Sequence, residues 1–190
     1  TDPDWFALSV FNSVLTGPSS LGGGGIDNKT SRLYRALVET GLAANVDGSL
    51  MPTIDPHLYG VTATVRDGRT AEEVEAVILR EIERARAGDI TADEIARAKK
   101  QARALFAYST ERVTMQAFWL AFAENFSSHE WFEDYVGALE RVTLDEERPE
   151  AVAQVAALVF FGRLVARPDG RHMIEEPQAP LAHRVDLVGR

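Results

Sequence analysis

The 190-residue chain is 45% hydrophobic and 26% charged, a globular composition too apolar for a disordered polypeptide and long enough for one sizeable core. Twenty basic against twenty-nine acidic residues give a formal charge of -9, the wrong sign for holding nucleic acid through its phosphates. With no cysteine, disulfide frameworks, thiol nucleophiles and thiolate zinc sites are excluded, so any metal would have to rest on His, Asp and Glu.

No apolar run approaches the roughly 18 residues that a membrane span requires, and no signal-peptide pattern opens the chain. A soluble protein with no membrane partner is expected; lack of cysteine leaves the compartment open, with the cytoplasm favoured. The start at Thr1-Asp2-Pro3-Asp4, without an initiator Met, suggests a processed protein or a piece of a longer one.

From Trp5 to Leu15 the apolar residues recur at three- and four-residue spacing, which predicts a helix. Thr16 to Lys29 holds Gly17-Pro18-Ser19-Ser20 and Gly22 to Gly25, and reads as a loop. Thr30 or Ser31 then caps a short helix through Glu39, with Gly41 as its stop. Ala43 to Leu50 and Leu58 to Val65 read as two antiparallel strands.

A Thr followed three residues later by Glu marks three helix starts, Thr70 with Glu73, Thr91 with Glu94 and Thr143 with Glu146. The first helix buries Val74, Val77, Ile78 and Ile82 and ends near Gly88. The second runs on to Phe122, bent near Ser109-Thr110. Another follows from about Ser128 to Leu139, and a strand from Gly162 to Arg167 closes at the turn Pro168-Asp169-Gly170. Residues 1–170 are read as one domain and residues 171–190 as a tail or linker.

Four segments carry a resemblance. They are Thr30 to Ala43, containing Ser31-Arg32-Leu33-Tyr34; Pro52-Thr53-Ile54-Asp55-Pro56 with Leu58-Tyr59-Gly60 and Ala63-Thr64-Val65; Ile90 to Lys99; and Arg141-Val142-Thr143. In this order and spacing the chain resembles the C-terminal, non-catalytic type of domain in the pitrilysin/insulinase (M16) zinc metallopeptidases. The resemblance implies an α+β fold, a single two-layer domain with an antiparallel or mixed sheet covered by helices, of the LuxS/mitochondrial processing peptidase-like kind. It further implies that two such domains form a half-shell, that two halves enclose a peptide chamber, and that zinc sits on another domain or subunit in an inverted His-x-x-Glu-His motif. This chain would then bind no cofactor itself, would partner an M16-type catalytic domain and a peptide substrate, and would self-associate when isolated.

The histidines, His57, His129, His172 and His183, do not spell that motif. In His172-Met173-Ile174-Glu175-Glu176 a Glu stands where the second His is required, and Gly170 and Pro177 bracket a segment too short for the helix, so a solvated turn is expected. His129 and Glu133 share a helix face at a spacing suited to a surface hydrogen bond. The catalytic set is therefore empty. The family's substrate-binding Arg and Tyr have Val38 and Ala44 at their places here. Arg32 and Tyr34 remain the candidates for contact with a peptide or partner, against the plainer reading of a helix start with Tyr34 in the core.

Gly23 to Thr30 nearly spells a phosphate-binding loop, but Asn28 replaces its second Gly and the preceding segment reads as a helix. A glycine-rich loop at a chamber mouth, or a plain surface loop, fits better. The competing function is a structural subunit of the same fold, like the core subunits of respiratory complexes, with no part in proteolysis.

Overall fold

The computed structural model describes residues 5–19, 29–54, 59–143, 163–166 and 172–175. Helix α1 spans Trp5–Leu15, a π-helical turn Tyr34–Val38, β1 Ala43–Ser49, β2 Gly60–Val65 and α2 Ala71–Arg86. They are followed by α3 (Ala92–Ser109), α4 (Val113–Ala123), α5 (His129–Glu133), α6 (Tyr135–Arg141), β3 (Arg163–Ala166) and β4 (His172–Glu175). The α+β class is as the sequence implies. β1 and β2 pair antiparallel, with Val46 opposite Ala63 and a bulge between Ala43 and Asn45.

α1 organises the packing because it is apolar on more than one side. Phe11 and Leu15 join Leu33, Leu37, Val46, Tyr59 and the inward residues of α2 in one core. Val10 and Val14, about 100° round the same helix, join Ala98, Ala102, Trp119, Phe132, Tyr135 and Leu139 in a second. One helix thus separates a hairpin-and-α2 layer from an all-helical layer. Burying both faces of an 11-residue helix also explains why its last six residues, Asn12 and Ser13 included, are buried.

Two of the three capping boxes form. Thr70 and Glu73 start α2, and Thr91 and Glu94 start α3, each with hydroxyl and carboxylate bonded reciprocally to backbone amides. The box at Thr143 and Glu146 lies outside the described residues, as does the turn at 168–170.

The structure departs from the sequence reading at four places. The segment after Thr30 is not a regular capped helix: Ser31 Oγ is buried without a hydrogen-bond partner. The backbone instead widens, with Glu39 N–H donating to Tyr34 O (3.1 Å) and Leu42 N–H to Leu37 O (2.9 Å), each five residues back. Gly41 ends it at a φ of 74°, which favours glycine.

The long second helix is two helices rather than one bent helix. Ser109 and Thr110 hydroxyls turn back onto Phe106 O (3.0 and 2.7 Å), and three residues of turn separate α3 from α4. The helix expected from Ser128 is likewise divided at Asp134. Lastly, His172–Glu175 is a strand, not a turn: β4 pairs antiparallel with β3, Leu164 opposite Ile174.

Candidate functional site

The glycine-rich stretch enters and leaves the fold at two polar clusters, and these define the candidate site. On the entering side, Asn12 on the last turns of α1 is 1% exposed. Its Oδ1 accepts from Tyr59 Oη and Thr16 Oγ1, both at 2.9 Å. Its Nδ2 donates to Gly17 O (3.2 Å) and Ser19 Oγ (2.9 Å). All four hydrogen-bonding positions of this amide are used, as burial demands. Burial pushes the Tyr59 phenol far above the usual tyrosine range, so it stays a neutral donor.

On the leaving side, Arg32 is 7% exposed and turned onto the α2–α3 junction. Its Nε and NH2 grip Glu94 at 2.8 and 2.7 Å in a bidentate pair, and NH2 also donates to Asp89 O. NH1 lies 3.8 Å from Asp89 Oδ2 without a hydrogen bond of its own. Glu94 is the same residue that closes the α3 capping box, donated to by Thr91 N–H at 2.9 Å. The Arg32 guanidinium, assisted by these Thr91 bonds and opposed by burial, holds the Glu94 carboxyl down to about 2.

The structure therefore joins Arg32 to Glu94 and Asp89, facing inward, as a clamp between the segment after Thr30 and the start of α3. Tyr34, the other sequence candidate, is half-buried at the first position of the π turn. Neither Asn12 nor Glu94 stood out from sequence as a site residue. Glu94 was legible only as a cap, because its ionic partner is 62 residues away.

His129 is exposed, and its close partners are Glu124 and Glu130. Its Nδ1 lies 2.9 Å from Glu124 Oε1 and its Nε2 3.4 Å from Glu130 Oε1. The hydrogen bond to Glu124, then the charge of Glu130, raise its pKa above 6.5. A raised imidazole pKa means that the interaction is fully present below the unfolded value of about 6.5 and is lost as pH rises through the folded value. An NMR titration of the His129 ring is expected to give a midpoint above 6.5 that falls on Glu124→Gln; a midpoint unmoved by that change would refute the pairing.

The donors of the described residues do not group as a hydrolytic zinc centre requires. Among the described residues, no three His, Asp or Glu side chains group so as to hold a metal ion, whereas such a centre needs three converging protein ligands and an open position. His57 and His183 lie outside the described residues. No described helix is long and apolar enough to cross a membrane.

Comparison with known proteins adds to this geometry. The family model described as the Peptidase M16 inactive domain matches residues 1–102. Among solved structures, a protein assigned as a zinc protease from Bordetella pertussis Tohama I is similar at a TM-score of 0.63 and 20% identity, over 82% of this chain and 77% of that one. The inactive peptidase domain of one assigned likewise from Bordetella parapertussis gives 0.64 and 19%, over 82% and 76%. A protease from Helicobacter pylori gives 0.60 and 18%, over 82% of this chain but 34% of its own length. At these identities the likenesses establish the fold. No curated protein matches the sequence.

Proposed function

Since the chain belongs to the M16 peptidase family, as its inactive type of domain, we propose that it forms chamber wall for a peptidase whose zinc is held by another domain or subunit. The observation that carries the reading is the family match over residues 1–102, which takes in α1, both polar clusters, the hairpin and α2. In the sequence the glycine-rich stretch is flanked by Asn12 and Arg32, each held by buried hydrogen bonds, and such anchoring of the flanks supports a wall role. Tyr34 is the residue of this chain that contacts peptide or partner, and Arg32 holds the backbone from which Tyr34 projects. Zinc-dependent hydrolysis then belongs to the partner, which supplies ligands, open position and general base.

The test mixes the purified chain with an M16-type subunit that carries the inverted His-x-x-Glu-His motif and follows cleavage of a quenched fluorescent peptide. The chain alone is expected to show no EDTA-sensitive cleavage, and the mixture to exceed the catalytic subunit alone. Cleavage by the chain alone, or a mixture no faster than the catalytic subunit, would reject the reading. Light scattering of the isolated chain is expected to show self-association through the surface meant for that partner.

A further inference from the structure

A second feature lies on the helical layer. The outward stripe of α3 and the C-terminal end of α6 enclose an open groove of about 480 Å³, within the size range of peptide and ligand sites. Ile95 and Val142, both half-buried, give it apolar walls. Lys99, Lys100 and Arg103 line it against a single carboxylate, Glu140. This excess of positive charge stands out in a chain whose formal charge is -9.

The cations are not equivalent. Lys99 Nζ donates to Glu140 O at 2.7 Å, which fixes its ammonium at the end of α6, where the helix dipole favours a cation. Arg103 NH1 stands 3.5 Å from Glu140 Oε1, a long ion pair with both side chains about half exposed, so most of its donors still face the groove. Lys100 is exposed on the rim. The spacing 99, 100, 103 on one helix puts the three ammonium and guanidinium groups on one side of the groove with hydrocarbon below them.

We infer that this groove binds an acidic peptide segment, its carboxylates on Lys100 and Arg103 and a small aliphatic side chain against Ile95 and Val142. Nucleic acid fits less well: the chain's overall negative charge opposes a polyphosphate, and the apolar walls offer it nothing. An acidic peptide matches both halves of the lining. The inference rests on the groove and not on the chamber reading, and it holds whether or not the chain supports a peptidase.

The test is fluorescence anisotropy of a labelled acetyl-Asp-Glu-Val-Glu-amide peptide with the full chain. Controls are the Asn-Gln-Val-Gln counterpart and a single-stranded DNA oligomer. The acidic peptide is expected to bind about tenfold more tightly than its amide counterpart, and to weaken as salt rises from 20 to 150 mM, roughly a shortening of the Debye length by more than half. The double change Lys100→Gln with Arg103→Gln, both exposed, is expected to remove the preference while circular dichroism and melting stay unchanged. Methyl resonances of Ile95 and Val142 are expected to shift on titration. Equal affinity for the two peptides, no binding, or a preference that survives the double change would each overturn the inference, as would DNA binding at least as tight. One further result would overturn it in favour of an occupant from the same chain. The sequence continues past Thr143, on the groove lining, into Asp145-Glu146-Glu147; binding seen only after Asp145→Asn, Glu146→Gln and Glu147→Gln would show that this stretch fills the groove itself. None of these outcomes depends on peptidase activity, so failure here and failure of the complementation test are separate results.

Discussion

Replacing Arg32 with methionine is expected to destabilise the domain by about 3 kcal/mol at pH 7, because it removes one partner of a buried ion pair and leaves the other charged. Glu94 is only 14% exposed, and its carboxyl is held down from 4.5 to about 2, with the Arg32 hydrogen bonds as the largest cause. A depression of that size corresponds to no more than about 3 kcal/mol of stability at neutral pH before solvent screening, with the Arg32 bonds as its largest part and the Thr91 bonds, which survive the substitution, a smaller one. The sign follows from the direction: a carboxyl depressed by folding contributes fully above its unfolded value of 4.5, and the contribution is lost as pH falls toward about 2. Urea melts at pH 7, 5, 4 and 3 should therefore show the gap between wild type and Arg32→Met narrowing as pH falls through the folded-state pKa of Glu94 in the variant, because the unfolded-state value is common to both proteins. A second variant separates charge from shape: adding Glu94→Leu to Arg32→Met removes the orphaned charge and should restore more than half of the loss, although the Thr91 cap then loses its return bond, worth about 1 kcal/mol. A gap of constant size across the pH series would mean that Arg32 stabilises by packing alone.

That clamp also shows where the sequence was legible. The Thr-x-x-Glu signatures at 70 and 91 were readable because a capping box involves only four consecutive residues, and both formed where the pattern put them. The antiparallel hairpin was readable for a similar reason, since two short strand-like runs, the second rich in Val and Thr, flank one connection. Arg32 was singled out, but its environment was not: pairing with a carboxylate 62 residues away is a product of tertiary packing, and local pattern carries no trace of it. The π turn was hidden for the same reason. Ser31 offers a good cap in isolation, yet the full burial of Leu33 and Leu37 decides the backbone there. Ser109-Thr110 was visible as a weak point in a long helix, but whether hydroxyls bend or end a helix depends on what the next segment buries. Here Trp119 and Ala123 of α4 pack into the second core. Ile95, Lys99 and Val142 fall within family-like segments, but Lys100, Arg103 and Glu140 do not, and the grouping of all six emerged only once α6 was placed against α3.

The glycine at position 48 ties the first core to the candidate site, and alanine there is expected to cost about 2–5 kcal/mol, the sum of overpacking and a broken buried hydrogen-bond cluster. Its backbone needs no left-handed conformation; the constraint is space. A methyl group on Gly48 would stand 2.0 Å from Asn12 Oδ1, 2.3 Å from Thr16 Oγ1 and 2.9 Å from Tyr59 Oη. The atoms it meets are the acceptor and the two donors of one cluster, so none can yield without leaving another unpaired in a site that excludes water. β1 would have to lift from α1, and the strain would pass through Asn12 to Gly17 O and Ser19 Oγ, where the chain departs toward its glycine-rich stretch. Tyr59→Phe, which deletes one donor and keeps the ring against Phe11, should cost less, about 1–2 kcal/mol. Denaturant midpoints would rank the variants, and amide exchange would locate the effect: Gly48→Ala should raise exchange in β1 and at the end of α1 while leaving α3 and α6 protected, since those helices pack in the other core. Because both variants break the same hydrogen-bond cluster, and Tyr59→Phe removes one of the atoms that the Gly48→Ala methyl would meet, the double variant should lose less than the sum of the two. Additive losses, or exchange rising equally in α3, would refute the assignment of Gly48 to a close approach between hairpin and helix.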